Sequence, residues 1–126
     1  MQDQEARKIL EDKFFRVAAQ VGMLHTAHRY TKKKLGLDRR TVPTEGNLYQ
    51  KARQVLTSSG SVLTDEPDQR LVLYVMSGFA GRNPAVVELA FSNAEVTVTA
   101  WAKEGWIDQK TAAKAADTAL RSLGLA

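Results

Sequence analysis

Apolar positions in the first third of the chain recur in alternating steps of four and three: Leu10, Phe14, Val17, Val21 and Leu24, continued by His28, Thr31 and Leu35. That spacing is one face of an α-helix, and it predicts a single long helix over residues 3–35. Acidic Asp3, Glu5, Glu11 and Asp12 come early and Lys32, Lys33 and Lys34 late, which suits the helix dipole. Gly22 interrupts the stripe at a position where glycine is unfavourable.

The same spacing extends along the chain. Thr44 can cap a shorter helix carrying Leu48, Ala52, Val55 and Leu56, and Ser58-Ser-Gly-Ser61 breaks it. A third helix is expected over 64–77, with Asp65, Glu66, Pro67 and Asp68 in a first turn where proline and acids belong. A fourth runs over 83–104, opened by Asn83-Pro84, with one stripe through Val87, Phe91, Ala94, Val98 and Trp101 and another through Val86, Leu89, Val96 and Ala100. A last helix, capped by Asp108, carries Ala112, Ala113, Ala116, Leu120 and Leu123.

Four glycine–apolar pairs, Gly36-Leu37, Gly78-Phe79, Gly105-Trp106 and Gly124-Leu125, follow these segments like left-handed helix stops. Together the signals favour an all-α fold: one domain over 1–126, a bundle of about five helices with a long N-terminal one. The alternative is an α+β fold with a small antiparallel meander at 71–76, 86–91 and 96–101. It rests on the period-two alternation of Val96-Thr-Val-Thr-Ala100 and Val87-Glu-Leu-Ala-Phe91, rich in β-branched residues, with Ser92-Asn-Ala turning between them. Ser92-x-x-Glu95 also reads as a capping box that restarts a helix.

Composition sets the class. The chain has 126 residues, 44% hydrophobic and 25% charged, which fits one globular core. No apolar run is long enough to span a bilayer, and the polar N-terminus reads as neither signal nor transit peptide, so no membrane partner is expected. The absence of cysteine excludes disulfides and thiol nucleophiles and points to the cytoplasm. The net charge of +4 is uneven: residues 1–63 hold twelve Lys/Arg against six Asp/Glu, and residues 64–126 hold six against eight.

Catalytic signatures are weak. His25-Thr-Ala-His28 places two imidazoles on one helical face, but a metal needs a third ligand, so no metal and no cofactor are expected. Gly78-Phe-Ala-Gly81-Arg82 could offer amides and a guanidinium to a phosphate, yet it lacks the lysine and hydroxyl of a P-loop, and a helix stop followed by a cap accounts for it. Helix, turn and helix around Gly105 match a DNA-reading motif poorly, since Trp101 and Lys114 fall where small and aliphatic residues belong. No serine stands in a nucleophile elbow and no paired carboxylates stand out, so the chain reads as non-enzymatic.

The basic segment is the remaining candidate. Residues 25–40 hold six Lys/Arg against Asp38 alone. His25, Arg29, Lys32, Lys33, Lys34, Arg39 and Arg40 could neutralise DNA or RNA phosphates without reading sequence, and Tyr30 could stack on an unpaired base. The first expectation is therefore sequence-independent nucleic-acid backbone binding, as a small subunit of a nucleoprotein assembly. The second is a protein-interaction module, an adaptor, inhibitor or self-associating bundle, using the first-helix seam Leu10, Phe14, Val17, Val21 and Leu24. A third is a ligand site at the 78–83 loop.

Overall fold

The computed structural model describes residues 1–77, 83–105 and 110–125. The elements run α1 (Asp3–Gln20), α2 (Leu24–Thr31), β1 (Lys34–Pro43), α3 (Tyr49–Leu56), β2 (Gly60–Glu66), β3 (Arg70–Ser77), β4 (Asn83–Phe91), β5 (Glu95–Glu104) and α4 (Thr111–Ser122). The strands form one antiparallel sheet in the order β1-β5-β4-β3-β2, so β2 to β5 are a meander and β1 closes beside the last strand. The fold is α+β, and the all-α bundle expected from the spacing is wrong. The meander alternative had three of the five strands.

The two stripes over 83–104 have a simple cause. β4 and β5 are central strands with helices on both faces, so successive side chains enter opposite cores. On one face Leu71, Leu73, Val87, Leu89, Val98, Ala100 and Ala102 pack with Ala52 and Leu56 of α3 and with the alanine side of α4. On the other, Val72, Val86 and Trp101 pack with Ala6 and Leu10 of α1 and Tyr30 of α2. A strand covered on both sides reads as apolar all round, as a buried helix does. Each fully buried Val or Leu contributes about 1.5–3 kcal/mol.

Turn chemistry completes the sheet. Pro67 and Asp68, expected in a helical first turn, instead make the β2–β3 hairpin: Asp68 has φ of 61° and Gln69 N donates to Glu66 O at 3.0 Å. Proline second and a left-handed third residue are the demands of a type II turn. Ser92 Oγ accepts from the Ala94 and Glu95 amides at 3.3 and 3.1 Å, so the supposed capping box closes the β4–β5 hairpin.

The long first helix is likewise two. α1 ends at Gln20, Gly22 turns with φ of 73°, and α2 stops at Thr31. Helices do form in the second and last expected places, as α3 and α4, but α3 begins at Tyr49 and Thr44 does not cap it: its hydroxyl donates to Gly46 O at 2.8 Å. Of the glycine stops, Gly124 is a true one: its φ is 76°, and Leu125 N and Gly124 N return to Leu120 O and Arg121 O at 2.9 Å each. Gly36 lies inside β1, and Gly105 follows a strand. Gly78, Phe79, Trp106 and the Asp108 cap lie outside the described residues. Among the described residues no helix is long and apolar enough to cross a membrane.

Candidate functional site

Where α2 ends, β1 begins, β5 ends and α4 starts, the chain leaves an open groove of about 840 Å³. Arg29, Lys32, Lys33, Lys34 and Lys110 line it, with Leu35 to Asp38 along its floor and Glu104, Gly105, Ala112 and Ala113 on the far wall. Among the described residues, five cationic side chains thus meet two carboxylates, and both of these are engaged. Asp38 Oδ2 accepts from Arg40 Nε at 2.8 Å, and Glu104 Oε1 accepts from the Thr111 amide at 2.8 Å. That second bond neutralises the positive N-terminus of α4 from within the chain.

The backbone of this corner is held from below. Lys103 is fully buried; its Nζ donates to the carbonyls of Thr31 and Lys33 at 3.0 and 3.1 Å and lies 2.8 Å from Glu11 Oε2. One ammonium therefore satisfies carbonyls freed at the end of α2 and joins them to α1 and β5. Gly36 sits opposite Ala102, and a Cβ there would come within 3.0 Å of Glu104 Cγ. The glycine thus leaves room for the carboxylate that caps α4.

The sequence candidates divide three ways. Arg29, Lys32, Lys33 and Lys34 converge on the groove, although the helical face expected to gather them ends at Thr31. His25 is exposed on the first turn of α2, outside the lining, with Nε2 3.4 Å from Thr26 Oγ1. Arg39 and Arg40 are adjacent on a strand and leave on opposite faces. Arg39 Nε donates to Thr99 Oγ1 at 3.2 Å. Arg40 pairs with Asp117 of α4 and donates to Ala113 O at 3.3 Å, a clamp between β1 and α4.

Tyr30 corrects the stacking role expected of it. It is 2% exposed and its ring lies parallel to Phe14 with centroids 4.1 Å apart, so no base can reach it. Burial, with minor contributions from Tyr74 and Glu11, holds its phenol well above the usual tyrosine range.

Lys110, Lys103 and Glu104 carried no sequence signal for this site, and Gly36 was expected to stop a helix, not to make room inside a strand. Lys110 sits in the acidic half, seventy-odd residues from its groove neighbours, and no local spacing connects them. The first-helix seam is split as well: Leu10 is buried and Phe14 half-buried, while Val17, Val21 and Leu24 are exposed. Among the described residues no three His, Cys, Asp or Glu side chains gather as metal ligands. The 78–82 part of the glycine-rich loop lies outside the described residues. No protein-family model matches the chain, and searches of curated proteins and of solved structures find no match.

Proposed function

We propose that this protein is a non-enzymatic, sequence-independent binder of nucleic-acid backbone, working in the cytoplasm through the basic groove. The observation that carries the reading is the convergence of Arg29, Lys32, Lys33 and Lys34 with Lys110 around one concavity, where the two carboxylates among the described lining residues are already engaged. A concave wall of ammonium and guanidinium groups favours a ligand with repeated negative charge, and phosphates at backbone spacing provide it. Arg39 belongs to the edge strand beside this surface. Arg40 supports the wall by holding α4 against β1.

The test is binding of labelled duplex and single-stranded DNA and RNA at several salt concentrations. Affinity is expected to fall steeply with salt and to change little with base sequence. Lys32→Glu with Lys33→Glu should weaken binding and reduce the salt slope by about one per lysine. An unchanged slope would remove the groove as the site.

A further inference from the structure

The inward stripe of α1 leaves large apolar side chains uncovered beside it. Ala6 and Leu10 are buried against the sheet, Phe14 stacks on Tyr30 and Ala18 is buried one turn later, but Val17 next to it is 61% exposed. Phe15, about 200° away from Val17 around the helix, is also more than half exposed. The end of α1 is therefore covered through Ala18 and carries exposed apolar side chains on both sides of it. Val21, Met23 and Leu24 continue the exposed apolar surface through the Gly22 turn into α2. These five exposed side chains make an apolar tip at the α1–α2 corner.

Its surroundings carry one sign of charge. From Lys13 to Leu37 the chain holds six Lys/Arg and no Asp or Glu. Of these, Arg16 lies within the tip, while Arg29, Lys32 and Lys33 follow along α2 and its end. A flat protein partner would cover one side of such a tip and leave the other wet. A second copy would bring like charges together. A bilayer interface takes up apolar side chains from both exposed sides of a helix end at once, and anionic headgroups match the cations that follow it.

We propose that the α1–α2 corner is a membrane-surface anchor, in which Phe15, Val17, Val21, Met23 and Leu24 enter the headgroup region of an anionic bilayer and the flanking Arg16, Arg29, Lys32 and Lys33 meet lipid phosphates. The expectation of no membrane partner came from the lack of a spanning run, and surface attachment needs none. Because the tip and the groove share Arg29, Lys32 and Lys33, lipid and nucleic acid compete for the same cations.

Vesicle flotation of the full chain tests this, with phosphatidylcholine alone and with about one third phosphatidylglycerol. The protein should float with the mixed vesicles and not with the neutral ones. Val21→Ser with Leu24→Ser should weaken that binding about tenfold or more, while the far-ultraviolet circular dichroism and nucleic-acid affinity stay as in the parent, since both positions are exposed and outside the groove. Failure to float with anionic vesicles would overturn the proposal. So would flotation indifferent to the serine pair, because charge alone would then hold the protein. Sedimentation showing a dimer that the serine pair dissolves, without flotation, would assign the tip to a second copy instead.

Discussion

At the scale of single residues, Lys103 carries the most consequence. An ammonium with no exposed surface is tolerated only because two carbonyls and Glu11 surround it. Lys103→Met would keep the length and remove the charge, leaving the end of α2 without its partner and Glu11 with only the longer 3.9 Å contact to Arg7. Destabilisation of about 3 kcal/mol in urea unfolding is expected, with loss of groove binding that exceeds the loss at any single groove lysine. The tyrosines make a second prediction. All three are raised above their usual range: Tyr30 and Tyr74 by burial, Tyr49 first by its hydrogen bond to Asp65. Unfolded tyrosines ionise near pH 10, where the folded ones keep their protons. The unfolded state then binds fewer protons, so stability is complete below about pH 10 and falls as pH rises beyond it. Urea midpoints measured from about pH 9 to about pH 11 should decline, and phenolate absorbance should lag that of the unfolded chain.

At the scale of elements, the α1–α2 turn depends on one backbone conformation. Gly22 holds φ of 73° with nothing within 4 Å of where a Cβ would stand, so a side chain there meets no clash and only the conformational cost. Gly22→Ala should cost about 1 kcal/mol, and Gly22→Asn less, because asparagine visits the left-handed region more readily; thermal unfolding of the two variants separates them. The same turn breaks the one long helix that was expected. The four-and-three spacing through Leu24, His28 and Thr31 does not mark a buried face: all three are exposed, and α2 buries Ala27 and Tyr30 instead. α3 and α4 were legible because each is amphipathic with one buried face. β3, β4 and β5 were legible only as the alternative, because burial on both faces adds apolar positions that also fit two helical stripes. Pro67-Asp68 was ambiguous, since proline beside an acid suits a helix start and a turn alike.

At the scale of the molecule, stability should grade outward from the central strands. β4 and β5 are paired on both edges and covered on both faces, whereas the α1–α2 corner exposes Phe15, Val17, Val21, Met23 and Leu24. Native-state hydrogen exchange should therefore be slowest in β4 and β5 and fastest, among regular elements, in the last turn of α1 and in α2; uniform protection would contradict this grading. Charge layout follows from the sequence alone. Arg29, Lys32, Lys33 and Lys34 are close in the chain, so whether helix or strand follows, they emerge within one short stretch of surface, and their grouping could be read. The sequence by itself also showed that α3 and α4 are helices, though not where they start, and that the chain has no thiol chemistry. Tertiary structure decided the rest. It sent Arg39 and Arg40 to opposite faces, buried Tyr30, joined Lys110 to residues seventy-odd positions away, and placed Lys103 beneath them all. Periodicity reports which positions avoid water. It does not report whether a helix or a doubly covered strand hides them, and only the pairing of distant strands settles that.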